Sequence, residues 1–105
     1  MRTVMVRYRV RPDAAAENER LIQQVFAQLE REQLPGVRYQ VVKLADGVSF
    51  VHLASHDGDG ANPLTGLVAF KDFVRGIGER CVEPPVTVEA QLVGAHASVL
   101  PPSPS

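Results

Sequence analysis

The chain has 105 residues, enough for one hydrophobic core and too few for a second domain. Hydrophobic residues make up 45% and charged residues 22%, a balance that excludes an intrinsically disordered chain. Eleven Lys and Arg against twelve Asp and Glu give a net charge of −1, so there is no net field to hold nucleic acid or an anionic membrane surface.

No stretch approaches the ~20 consecutive apolar residues that cross a bilayer. The N-terminus opens on a strand pattern instead of a charged segment followed by an apolar run, so a cytoplasmic location is expected. The single cysteine, Cys81, cannot form an intrachain disulfide, which agrees with a reducing compartment.

Thr3 to Val10 alternates as a first strand, with Val4, Val6, Tyr8 and Val10 on one side and Thr3, Met5, Arg7 and Arg9 on the other. The alternate spacing of Arg7, Arg9 and Arg11 makes them one face of a strand, not a basic patch. Pro12 ends the strand, and Asp13 is expected to cap a helix running from Ala14 to about Gln33. Leu21, Ile22, Val25, Phe26 and Leu29 recur at spacings of three and four, giving one apolar stripe on an otherwise polar helix. Leu34-Pro35-Gly36 stops it.

Val37 to Ala45 and Val48 to Ala54 flank Asp46-Gly47, the two-residue signature of a type I′ hairpin. The implied register sets Lys43 opposite Phe50, Val41 opposite His52 and Tyr39 opposite Ala54 on one face, and Val42 opposite Val51 and Gln40 opposite Leu53 on the other. Both faces are therefore apolar. A polar loop, His56-Asp57-Gly58-Asp59-Gly60, is followed by Asn62-Pro63, which reads as a helix cap and first helical position. Gly66 interrupts the opening turn; Leu67, Phe70, Phe73, Val74 and Ile77 then form a second amphipathic helix weakened at its end by Gly76 and Gly78. Pro84-Pro85 precedes a last strand in which Val86, Val88, Ala90 and Leu92 alternate with Thr87, Glu89, Gln91 and Val93. Residues 1–93 are thus expected to form one domain, and the Pro/Ser-rich residues 94–105 a flexible tail.

Strand, helix, hairpin, helix, strand is the ferredoxin-like βαββαβ order. Right-handed crossovers turn it into an α+β fold with a four-stranded antiparallel sheet of order 4-1-3-2 and two helices on one face. The other face is left bare although both carry apolar side chains. A second copy related by a two-fold axis is the economical cover, so a homodimer is expected.

The element order, the length, and the stretches Val4-Met5-Val6-Arg7-Tyr8, Asp46-Gly47-Val48-Ser49-Phe50-Val51-His52 and Asn62-Pro63-Leu64 followed by Phe70 and Phe73 resemble the dimeric α+β barrel superfamily, which includes the antibiotic-biosynthesis monooxygenases. The resemblance spans residues 1 to 93. It implies two sheets packed face to face in a dimer, with a pocket between sheet and helices in each subunit. Monooxygenase members place Asn on the first strand and Trp near the pocket, whereas this chain has no Trp and no Asn before Asn18. The haem-degrading branch places a ligating His on the second long helix, where this chain has none. The resemblance therefore carries over the fold and the dimer but no catalytic residue.

His52 is the candidate acid/base, because a strand-borne imidazole beside Tyr39, Val41 and Phe50 can move a proton or orient a substrate. The residue reads more readily as a partly buried strand histidine hydrogen-bonded to a neighbour. Tyr8, Tyr39, Phe50, Phe70 and Phe73 are the candidate pocket residues, although aromatics at these spacings also build cores. His52 and His56 stand roughly 13 Å apart along an extended strand and cannot share a metal. Asp57, Asp59 and Asn62 lack the calcium-loop spacing, Val68 standing where Glu is needed. Cys81 follows the second helix near its negative end, where a thiol is not activated, so packing is its expected role. Arg7 and Arg9 face Glu89 and Gln91 across the sheet, either as exposed ion pairs or as an anchor for a substrate carboxylate. No phosphate loop, nucleophile elbow or zinc spacing occurs, so neither cofactor nor metal is expected. Two functional readings follow: a cofactor-independent monooxygenase-like enzyme or isomerase acting on a small apolar or aromatic molecule, and a non-catalytic dimer that binds a small ligand or supports a partner.

Overall fold

The computed structural model describes residues 1–97; positions 98–105 of the expected tail lie outside the described residues. Strand β1 (Arg2–Val10) leads through a 3₁₀ turn (Pro12–Ala14) into helix α1 (Ala15–Glu32). Strands β2 (Val37–Lys43) and β3 (Ser49–His56) form the hairpin. A second 3₁₀ turn (Pro63–Gly66), helices α2 (Val68–Arg75) and α3 (Ile77–Arg80), and strand β4 (Cys81–Ala90) complete the fold. The sheet is antiparallel throughout, in the order β2-β3-β1-β4, which is the expected 4-1-3-2.

The hairpin register is the expected one, with Lys43 opposite Phe50, Val41 opposite His52 and Tyr39 opposite Ala54. Its turn is not type I′. That turn needs positive φ at both central residues, and only Gly47 (φ 78°) has it. The chain closes instead through Leu44, whose N–H donates to the Ser49 carbonyl at 2.8 Å and whose carbonyl accepts from the Gly47 N–H at 3.0 Å. The Asp46 carboxylate accepts the Val48 and Ser49 N–H groups at 3.0 and 2.8 Å and the Ser49 hydroxyl at 2.6 Å. These local bonds favour the four-residue loop. Pairing Leu44 with Ser49 continues the same ladder, so the register survives the change of turn.

Asp13 does not cap α1. It sits inside the first 3₁₀ turn, with its carboxylate 3.6 Å from the Arg11 Nε, and no side chain caps the helix that follows. Asn62 behaves as expected, its Oδ1 accepting from the Leu64 N–H at 2.9 Å, and Gly76 divides α2 from α3.

The last strand begins five residues earlier than expected, at Cys81 instead of Val86, and ends at Ala90. It runs through Pro84-Pro85 because β4 is an edge strand, where a missing N–H is tolerated, and because its register against β1 shifts between Arg7 and Val10. The shift also changes the expected ion pairs. Arg9 meets Glu83 at 2.9 Å, and Glu89 meets Arg2 at 3.1 Å instead of Arg7 or Arg9.

Of the two apolar faces, the one bearing Tyr8, Val10, Phe50 and His52 meets the helices. These residues are buried together with Leu21, Ile22 and Val25 of α1, Leu64 and Leu67, and Phe73 of α2. The opposite face carries Met5, Val42, Val51, Leu53, Val86 and Val88. No helix covers it, and Val42 and Val86 are each 54% exposed.

Candidate functional site

His52 lies at the centre of the covered face. Val41 and Val6 are its direct partners on β2 and β1, so Tyr39 and Tyr8 are its diagonal neighbours on either side. A diagonal pair in a sheet is within reach of long side chains. The Tyr8 hydroxyl is 2.7 Å from Nε2 and the Tyr39 hydroxyl 2.7 Å from Nδ1. Both ring nitrogens are therefore engaged by phenols.

The polar chain continues beyond Tyr8. Asn18, on the buried stripe of α1 and fully buried, donates from Nδ2 to the Tyr8 hydroxyl at 2.8 Å. Its Oδ1 accepts from the Arg80 Nε at 3.0 Å. Arg80 is itself buried at the end of α3, with Nη2 donating to the Phe73 carbonyl at 2.6 Å and its guanidinium 5.2 Å from the centre of the Phe73 ring. That carbonyl belongs to the last turn of α2, where carbonyls lack helical partners and the negative end of the dipole favours a cation. Gly76 eases the approach, since a Cβ there would lie 3.1 Å from the Arg80 Nη1 and push it back by a few tenths of an ångström.

Asn18 and Arg80 were not anticipated as site residues. Asn18 had a readable signal, standing three, four and seven residues before Leu21, Ile22 and Val25 and hence on the apolar face. Arg80 follows a glycine-broken stretch and had none.

Burial sets the ionisation of the group. It pushes both phenols upward, and with Tyr8 the Asn18 hydrogen bond opposes it only in part. Burial lowers His52 from its usual 6.5 to about 4, so the imidazole is neutral near pH 7. Every buried side-chain polar atom among the described residues has a partner.

Beside this chain is a cavity of about 290 Å³ between the sheet and α2. Tyr8, Tyr39 and His52 line it with Val4, Val6 and Ala54, and Phe70, Phe73 and Ile77 supply the helical wall. Val4, Val6 and Ala54 are the small residues of this sheet face, and their size leaves the space. Thr65 and Thr87, both exposed, also border it. The volume is near the lower end of the range for small-molecule sites, about 300–1,000 Å³. Of the five expected pocket residues, Phe50 does not line the cavity. It is 1% exposed and stacks against the other side of Tyr8, with ring centres 5.6 Å apart and planes at 14°.

The remaining candidates have local roles. His56 Nε2 lies 2.8 Å from the Gly60 carbonyl and pins the loop that follows β3. Cys81 is half-buried against the core, and burial raises its thiol. No cluster of three or more His, Cys, Asp or Glu that could hold a metal occurs among the described residues. No helix among them is long and apolar enough to cross a membrane.

The chain therefore has a ferredoxin-like sheet with one face covered by helices, one bare apolar face, and a cavity beneath the helices. Solved structures share this fold. A candidate antibiotic biosynthesis monooxygenase from Nitrosomonas europaea superposes with a TM-score of 0.75 at 18% identity, covering 90% of this chain and 100% of that one. Another from Caulobacter crescentus gives 0.69 at 24% identity, covering 89% and 90%. A Nitrosomonas europaea protein of unknown function gives 0.70 at 15%, covering 93% and 94%. No protein-family model matches the chain, and no curated protein matches it. The chain shares the fold of these solved structures, and identities of this size establish the fold alone and leave the activity to be argued from the site.

Proposed function

We propose that the protein is a homodimer joined through its bare sheet face, with each subunit binding a small apolar or aromatic molecule in the cavity beside His52 and acting on it without a cofactor, as a monooxygenase-like enzyme or an isomerase. The observation that carries this reading is the cavity itself. Its walls are aliphatic and aromatic, and its polar groups converge as one bonded set of three rings, Tyr8, His52 and Tyr39. Few, fixed polar groups in an apolar enclosure are the usual form of a small-molecule site.

The dimer rests on the uncovered face. Burying a side chain such as Val42, Leu53, Val86 or Val88 contributes roughly 1.5–3 kcal/mol, so four of them offset a substantial part of the cost of association. The face is self-complementary only across a two-fold axis.

One observation favours the second reading, a non-catalytic ligand-binding dimer. Both nitrogens of His52 are engaged by phenols, so neither is open to a proton from a bound molecule directly. Any proton exchange between His52 and a ligand would have to pass by way of the Tyr39 hydroxyl, which is hydrogen-bonded to Nδ1.

Native mass spectrometry of the protein, as purified and after equilibration with one- and two-ring aromatic molecules, tests the cavity. One ligand per subunit is expected, with binding lost in Thr87→Trp, which places an indole at the cavity border from an exposed edge-strand position. Absence of binding, or binding untouched by Thr87→Trp, overturns the assignment. Oxygen uptake or isomer formation on a bound compound, abolished by His52→Ala, separates the enzyme from the binding protein.

A further inference from the structure

The hydrogen-bonded chain has a direction, and one residue sets it. Arg80 can only donate, so the Asn18 atom facing it must be Oδ1, which turns Nδ2 toward Tyr8. The Tyr8 oxygen accepts from Asn18, and its own hydrogen must find another acceptor. His52 Nε2, at 2.7 Å, is the one available among the described residues. Nε2 is then unprotonated, Nδ1 carries the ring hydrogen, and Nδ1–H donates to the Tyr39 oxygen at 2.7 Å. Each group receives a hydrogen bond from the side of Arg80 and gives one onward.

The last member differs from the rest. The Tyr39 hydroxyl accepts from His52, yet no acceptor for its own hydrogen occurs among the hydrogen bonds of the described residues. Tyr39 lines the cavity and is half-buried, and Phe26 stacked on its ring, with centres 5.1 Å apart, holds it in place. Arg80 is in none of the described ion pairs, and its guanidinium is held by Asn18 together with the Phe73 carbonyl and ring, so the cation stands at the head of the chain. A chain of aligned donors is polarised cooperatively, which strengthens the final one.

We propose that the Tyr39 hydroxyl is the donor that selects the ligand, and that the ligand is a compact one- or two-ring molecule presenting a single acceptor oxygen, such as a ketone or an enolate, with Arg80 and Asn18 as the positioning residues that aim the donor. This rests on the cavity being the ligand site and adds the chemical class of what it takes. The size of the enclosure and its apolar walls set the ring count. The Tyr39 donor sets the oxygen. A second polar group would be left unpaired against Val4, Val6, Ala54, Phe70 and Ile77 unless it reached the exposed border where Thr65 and Thr87 stand.

The test uses the full chain, two isosteric probes, 1-tetralone and tetralin, and the variant Tyr39→Phe, which removes only the oxygen. Dissociation constants from NMR titration are expected to rise about tenfold for 1-tetralone in Tyr39→Phe and to change less than about twofold for tetralin, the size of one hydrogen bond. If both probes bind and the variant affects them equally, the donor role is overturned while the cavity remains a ligand site. If neither binds the unmodified protein, the cavity reading is overturned and this inference with it. Nitrogen-15 NMR of the His52 ring reads the direction without a ligand. The Nδ1–H tautomer is expected, and an Nε2–H tautomer would reverse the two bonds at His52, engage the Tyr39 hydrogen with Nδ1 and remove the free donor.

Discussion

The Nε of Arg80 donates to the Oδ1 of Asn18 at 3.0 Å, joining the end of α3 to the first turns of α1 beneath the sheet. Both residues are buried, and the contact ties the last helix, the first helix and, through Tyr8, the central strand into one polar network.

Asn18→Leu keeps the volume and removes both of these bonds. It leaves a buried guanidinium short of an acceptor and Tyr8 short of a donor, so a loss of about 2–4 kcal/mol is expected. Urea unfolding followed by circular dichroism measures it. A change below about 0.5 kcal/mol would mean that the network contributes nothing to stability.

His52 gives a pH dependence whose sign follows from its burial. Its folded value, about 4, lies below the unfolded 6.5, so the unfolded chain binds the additional proton between these limits. Stability from this group is fully present above pH 6.5, falls as the pH drops toward 4 and changes no further below it, a loss on the order of 3 kcal/mol. The difference between the unmodified protein and His52→Gln, measured by denaturant titration across that window, should show this slope. Parallel curves would place the histidine in contact with water.

Replacing Val42 or Leu53 by Asp puts a carboxylate on the bare face without touching the covered one. Sedimentation equilibrium is expected to show a dimer for the unmodified chain and a folded monomer for either variant. A dimer that survives both substitutions would refute the assignment of this face as the interface.

Gly47 has open space around its Cα, with nothing within 4 Å of a Cβ built there, but its φ is 78°. Gly47→Ala should therefore cost about 1 kcal/mol from backbone strain alone, and Gly47→Asn less, since Asn tolerates the left-handed region. Thermal unfolding of the two variants distinguishes strain from crowding, which would penalise Asn more.

The arrangement of strands, the hairpin register and the amphipathic stripe of α1 are legible from residue order. Each follows from a period of two or of 3.6 acting on neighbouring positions, and Asp46-Gly47 located the turn even though its type was set by the bonds that Asp46 makes to Val48 and Ser49. His52 and its aromatic neighbours could be listed for the same reason. Phe50, however, alternates in step with His52 and reads identically, although it ends beneath Tyr8 and away from the cavity.

The choice of covered face was not legible, because Val42, Val51 and Leu53 are as apolar as Val41, Phe50 and Ala54, and only the direction from which the helices arrive decides between them. The polar chain is likewise a property of the fold. Tyr8, Asn18, Tyr39, His52 and Arg80 meet because five elements, β1, α1, β2, β3 and α3, come together there, and a hydrogen bond depends on distance in space, which periodicity along the chain does not encode.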